Sequence, residues 1–230
     1  MSQAPRCTLY GESLWISPYV FSSFVGLQEK GVPFDVVELR LVEGEQLGET
    51  HRGRSLTARV PSLEHDGFHL AESSAIAEYL DEVFGVGSCR LLPEAVRERA
   101  RARQIMAWLR SDLAALRDER STVTMFYRFG LKPLSPAAGR DAEKLLTVAE
   151  KLIPSGGGAL FGRWHLVDSE LAFMLHRLIL TGHDLPPRVR EWAETEWRRA
   201  SVRAYVEHAR PAAVPEGYWT FSGTPRPEGA

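Results

Sequence analysis

Cysteine is scarce: Cys7 and Cys89 are the only two in 230 residues. They lie far apart and form no CxxC pair, so neither a disulfide framework nor a zinc ribbon is supported. Long apolar runs are also lacking. No stretch approaches the roughly 20 residues that span a bilayer, and Met1 to Cys7 has no signal-peptide core. A soluble, cytoplasmic chain is therefore expected. Charge of one sign is not in excess, because 28 basic residues meet 30 acidic ones for a net −2. That balance gives no general pull toward nucleic acid or an anionic membrane. Gly156 to Gly158 lack a following Lys-Ser/Thr, which excludes a P-loop. His65 and His69 flank a turn instead of sharing a helical face, a poor arrangement for a metal, and no metal is expected.

What is present is ordinary globular composition, 44% apolar and 25% charged. About one domain per 150 residues allows one large domain or two small ones. The first 84 residues mix strand and helix signals. A short strand runs from Cys7 to Tyr10, and Gly11 to Ile16 read as a loop. Ser17-Pro18 opens a helix, with Ser17 at the N-cap and Pro18 at the first helical position. Val20, Phe21, Phe24, Val25 and Leu27 form its apolar stripe, and Lys30-Gly31 ends it. Val32 to Leu41 is β-branched and reads as a second strand. Residues 43–58 are polar, with a short irregular helix. Asp66-Gly67 between alternating segments signals a hairpin, and an amphipathic helix follows over Glu72 to Leu80. The order βαβ-α-ββα ends in an antiparallel hairpin, so it is not a Rossmann repeat.

Residues 85–94 read as a linker, and 95–210 as an all-helical domain. One long helix is expected over 95–120, others near 138–152, from an N-cap at Asp168 to about Leu180, and from Pro186-Pro187 to about His208. The tail, 211–230, holds four prolines and three glycines and is expected to be extended.

Three motifs carry chemistry. Leu14-Trp15-Ile16-Ser17-Pro18-Tyr19 resembles the W-x-S-P-F/Y segment of tau-class enzymes. Arg59-Val60-Pro61-Ser62-Leu63 resembles a K-V-P-x-L segment whose proline is cis. Glu72-Ser73-Ser74-Ala75-Ile76 resembles an E-S-x-A-I helix start. In this order, they make the chain similar to the soluble glutathione S-transferases, of serine type and tau/theta-like, over about residues 7–209. Arg101 to Leu113 most resembles a bacterial YfcF-type branch. The resemblance implies an α/β thioredoxin-like N-terminal domain followed by an all-α domain, with glutathione as co-substrate. It also implies a homodimer that conjugates glutathione to electrophiles, which underlies detoxification, or reduces peroxides. A non-catalytic binding protein of this fold and a glutathione-dependent isomerase are the alternatives.

The resemblance places the catalytic group at Ser17. A free thiol of pKa about 8.5 is only a few per cent ionised at neutral pH, and lowering it by ~2 units takes ~2.7 kcal/mol. A hydrogen bond to a charged group supplies roughly 1.5–3 kcal/mol, and a helix N-terminus ~0.3–1 kcal/mol. A serine hydroxyl at a helix start thus accounts for the shift without a general base. On its own, Ser17 reads as a helix cap; Ser13 in the same loop and Tyr10 at the end of the first strand remain alternatives. By resemblance, Glu72 and Ser73 receive the γ-glutamyl end of glutathione, and Val60 pairs its backbone with the cysteinyl residue. Arg59 and Gln46 approach the glycine carboxylate, although Gln46 stands where relatives often carry histidine and brings no charge. The electrophile cleft falls near Leu14, Arg110, Leu113 and Phe126 by position, and Asp112 is a candidate to reach a partner's γ-glutamyl ammonium.

Overall fold

A computed structural model describes residues 7–85, 89–129 and 131–219. The expectations for Met1 to Arg6, for part of the linker and for residues 220–230 of the tail lie outside them. The chain divides into two compact units. The first holds the described residues up to Leu91 together with those from Ala204 on, and the second runs from Leu92 to Arg203.

The first unit contains the expected thioredoxin-like layer. Strands β1 (Cys7–Glu12), β2 (Phe34–Leu39), β3 (Ser62–His65) and β4 (Phe68–Ala71) form a sheet in the order β2-β1-β3-β4. β1 and β2 are parallel, and the other pairs are antiparallel. Helix α1 (Pro18–Lys30) starts under the Ser17 cap and stops where Gly31 turns left-handed, at φ 63°, a conformation that favours glycine. Asp66 and Gly67, at φ 49° and 81°, make the two-residue turn that fits the right-handed twist of the hairpin. Two short 3-10 turns and α2 (Glu49–Arg52) fill the polar stretch after β2. Helix α3 (Ser73–Val83) packs on α1. The ammonium of Lys30 lies 2.7 Å from the Asp81 carboxylate, with both side chains buried, and Asp81 also accepts the Leu91 N–H at 2.8 Å.

In the second unit the expected long helix is two: α4 (Val96–Ser111) and α5 (Ala114–Glu119). The break sits at Leu113, whose φ is 60°. Asp112 leaves the helical register there and accepts the Leu113 N–H at 2.8 Å and the Trp108 indole N–H at 2.9 Å. Helix α6 (Thr122–Tyr127) follows a Ser121 cap that the sequence reading did not separate. Helix α7 is Pro136–Leu152, and α8 is Leu166–Ile179. The last expected helix is interrupted after Trp197, giving α9 (Pro187–Trp197) and α10 (Ala200–Val206). α8 is buried along nearly its whole length and packs on α4, α6, α7 and α9. Among the described residues no helix is long and apolar enough to cross a membrane.

The N-cap of α8 is His165, not Asp168. Asp168 stands one turn inside, and its carboxylate reaches back to the N–H groups of His165 at 2.9 Å and Leu160 at 2.8 Å. Burial pushes its carboxyl up to about 6, against an ordinary value of 3.8, although those N–H groups pull the other way. Between these two values the folded chain holds a proton that the unfolded chain has released. The Asp168 contribution therefore weakens the fold as pH rises from about 4 to about 6. Urea unfolding at pH 4.5 and pH 7 checks this, because Asp168→Asn should remove that part of the pH dependence. An identical pH slope in the variant would contradict it.

Candidate active site

The strand register gathers the three motifs at one end of the sheet. Glu12 at the end of β1 pairs with Leu39 at the end of β2, Tyr10 pairs with Ser62 at the start of β3, and Ser62 pairs with Ala71 at the end of β4. The loop to Ser17, the Val60-Pro61 segment and the Glu72-Ser73 helix start therefore all lie at the same end of the sheet.

The Ser17 loop is wound around one carboxylate. Glu12 is buried, and one of its oxygens accepts the Leu14 N–H at 2.7 Å. The other accepts those of Ile16 at 2.7 Å and Ser17 at 2.8 Å. These three amides lie beyond the last strand contact of the loop, that of Ser13 with Leu39, and an orphan buried N–H costs about 1–3 kcal/mol. Burial raises the Glu12 pKa above its ordinary value, while the loop N–H groups oppose the rise. Trp15 adopts a left-handed φ of 53° inside this loop, and its indole N–H donates to Glu38 at 2.8 Å. Sequence reasoning missed Glu12. The only available signal was an acidic residue where a buried strand gives way to a loop.

Ser17 is an N-cap in the full sense. Its Oγ accepts the N–H groups of Val20 at 3.2 Å and Tyr19 at 3.3 Å. Among the described residues no acceptor takes its own proton. A hydroxyl has one donor and two acceptor sites, so capping leaves the O–H able to donate. Ser13 is half-buried in the same loop, and its backbone N–H donates to Leu39 at 3.1 Å. The Tyr10 hydroxyl is already engaged: it accepts from Arg54 at 2.9 Å and donates to Glu64 at 2.8 Å.

The Val60–Pro61 peptide is cis. The Arg59 carbonyl just before it accepts the Ser55 hydroxyl at 3.0 Å and lies 3.4 Å from His51 Nε2, while the Arg59 side chain is exposed. Burial is the main reason the His51 pKa falls below its ordinary value. The neutral ring can then donate from Nε2 to Arg59. Glu72 sits at φ 73°, ψ 112° as the residue before α3. For a residue other than glycine, such a backbone costs on the order of 1–3 kcal/mol and clusters at functional sites. The Glu72 carboxylate is exposed and accepts the Thr57 hydroxyl at 3.3 Å, and Ser73 beside it is buried. Gln46 is buried in the second 3-10 turn, and its Oε1 has no partner among the described residues.

The remaining candidates are placed within their own units. Arg110 pairs with Glu170 at 2.5 Å, Leu113 is fully buried and Leu14 is buried. Asp112 also pairs with Lys144, which is the main reason its carboxyl falls to about 2. His65 Nδ1 is 2.7 Å from the Tyr79 hydroxyl. Burial pushes the Cys7 thiol up to about 11, so it is largely un-ionised at neutral pH.

Comparison with known proteins gives the family. The glutathione S-transferase N-terminal domain matches residues 16–83, and the C-terminal domain matches 95–210. A glutathione transferase homolog from Burkholderia GL BGR1, solved with bound glutathione, is 38% identical with a TM-score of 0.71. That alignment covers 88% of this chain and 96% of the homolog. Glutathione transferase GST 23 of Zea mays is 38% identical over 90 residues, 39% of each chain. Maleylacetoacetate isomerase of Rattus norvegicus is 27% identical over 136 residues, 58% of this chain and 60% of the enzyme. The chain thus spans less than two thirds of these two curated relatives. The two domain matches and the Burkholderia homolog together show that the chain belongs to the glutathione S-transferase family.

Proposed function

We propose that the chain is a glutathione transferase of serine type, tau/theta-like and nearest the YfcF-type branch, acting as a cytoplasmic homodimer. Glutathione binds at that end of the sheet in the first unit, and the Ser17 hydroxyl donates to its sulfur. The thiolate forms a C–S bond by displacing a leaving group from an electrophilic carbon or by adding to an activated double bond that then takes a proton from water. Alternatively it attacks a peroxide O–O bond, releasing the alcohol, and a second glutathione converts the resulting sulfenic acid to glutathione disulfide and water. Glu72 pairs with the γ-glutamyl ammonium. Ser73 and the α3 N–H groups take the adjoining carboxylate. Val60 pairs its backbone with the cysteinyl residue, and Arg59 and the Gln46 amide nitrogen hold the glycine carboxylate. The observation that carries this reading is the Ser17 hydroxyl, which caps a 13-residue helix with its oxygen and keeps its proton to give.

Titration of the protein with glutathione, following the thiolate absorbance against pH, tests the reading. The expected result is binding with a thiol pKa well below the free value. No binding would favour a non-catalytic member of the family. Ser17→Ala should lower turnover roughly tenfold, about 1.4 kcal/mol in the barrier. The loss stays below the full pKa effect because a higher-pKa thiolate is also the better nucleophile. Unchanged turnover with intact glutathione binding would move the role to Ser13.

A second reading rests on the similarity to the rat maleylacetoacetate isomerase. The same thiolate would add to a cis-enone, allow rotation about the former double bond, and leave again. Turnover without net consumption of glutathione would identify it.

A further inference from the structure

The Ser17 loop is held from a second side by the far end of the chain. From Ala204, within α10, the chain belongs to the first unit again, and Arg210 reaches the loop directly. Its Nε and Nη2 donate to the Trp15 carbonyl at 3.0 Å and 2.7 Å. Its Nη1 donates to the carbonyls of Val206 at 2.8 Å and His208 at 3.1 Å, and Nη2 also reaches that of Tyr205 at 3.3 Å. Tyr205 and Val206 are the last two residues of α10 and His208 lies just beyond it, so one planar guanidinium ties a helix end to the loop two residues before Ser17. Tyr205 is fully buried and donates its hydroxyl to the Ser17 carbonyl at 2.9 Å. The His208 ring stacks on Trp15 at 3.6 Å between centroids and 12° between planes. Further on, Gly217 lies so close to Val42 that a Cβ there would be 2.6 Å from its Cγ1. The segment therefore runs from the Ser17 loop to the turn that precedes Gln46.

We propose that Arg210 and Tyr205 are positioning residues for the Ser17 hydroxyl. Glu12 fixes the N–H groups of the loop, and these two side chains fix its carbonyls. Together they satisfy groups of both polarities on a backbone whose ladder contact with β2 ends at Ser13. The aim of the hydroxyl then depends on residues that touch neither the sulfur nor the hydroxyl. The inference rests on Ser17 being the thiolate donor, as proposed above.

Two measurements test it, one of which needs no glutathione. Amide hydrogen exchange at residues 14–17 should accelerate about tenfold in Arg210→Ala and in the milder Tyr205→Phe, with α8 unchanged as the control for folding. Unchanged exchange in both variants would overturn the clamp. With glutathione bound, Arg210→Ala should raise the thiol pKa by about half a unit and leave affinity within about twofold. The Ser17→Ala/Arg210→Ala double variant should then show the pKa of Ser17→Ala alone, the non-additivity expected when one residue acts through another. Arg210→Lys keeps the charge but loses the planar fork, so it should restore little of the effect. Additive shifts, or full restoration by lysine, would make Arg210 an independent charge and overturn the proposal. If the unaltered chain bound no glutathione, the reading of Ser17 would fall, while the exchange result would still decide whether the segment clamps the loop.

Discussion

Lys30→Met should cost the protein about 1.5–3 kcal/mol of stability, the worth of a hydrogen bond between charged groups, because it removes the ammonium 2.7 Å from a buried carboxylate. The Lys30 side chain is fully inaccessible and that of Asp81 is 7% exposed, so water cannot take over the solvation of Asp81. The same carboxylate holds the Leu91 N–H, and its loss of order would spread to the chain leaving α3. The Lys30→Met/Asp81→Leu double variant should also be less stable than the native chain, because the Leu91 N–H then loses its acceptor. Urea unfolding of the three chains is the test. A single variant within about 1 kcal/mol of the native chain would show that the pair is solvated.

Glu12→Gln should have the larger effect on chemistry. The carboxylate serves three N–H groups with two oxygens. An amide offers one oxygen and turns an NH2 group toward the remaining donors. Whichever way it sits, at least one charge-assisted hydrogen bond is lost, about 1.5–3 kcal/mol, and two donors face each other. The loop must shift, and Ser17 with it. A misplacement of about 1 Å at a reacting group can cost about a hundredfold in rate, so glutathione conjugation should fall by about that factor. Glutathione affinity should change far less, because the residues assigned to the peptide ends of glutathione leave the sheet from β3, β4 and the segment after β2. Turnover within about threefold of the native chain would show that the loop keeps its form without the carboxylate.

The features legible in the sequence are those whose causes lie within a few residues. Ser17-Pro18 caps and starts α1, Gly31 ends it, and Asp66-Gly67 turns the hairpin, because each needs only its own backbone and side chain. The βαβ unit and the hairpin were legible for the same reason, whereas the spatial order β2-β1-β3-β4 comes from the sheet itself. Segments that depend on distant partners were misread. The helix break at Leu113 goes with Asp112, which Lys144 holds from 32 residues away, and with Asp141, which takes the Leu116 N–H from 25 residues away. Helical periodicity continues through the break, so nothing local announces it.

The Ser17 loop shows the same division. The sequence by itself placed a serine at a helix start, together with the Val-Pro and Glu-Ser segments, and through their order the family. Only the tertiary structure decided what holds the serine. Glu12 is an ordinary acidic residue until β1 is buried and the N–H groups of an unpaired loop need an acceptor. Arg210 is one arginine among many until the chain returns to bring it to the Trp15 carbonyl, 195 residues earlier in sequence. Hydrogen bonds to lone backbone groups leave no periodicity and no motif, since any residue supplies the carbonyl. They become visible only when burial has removed water from the alternatives.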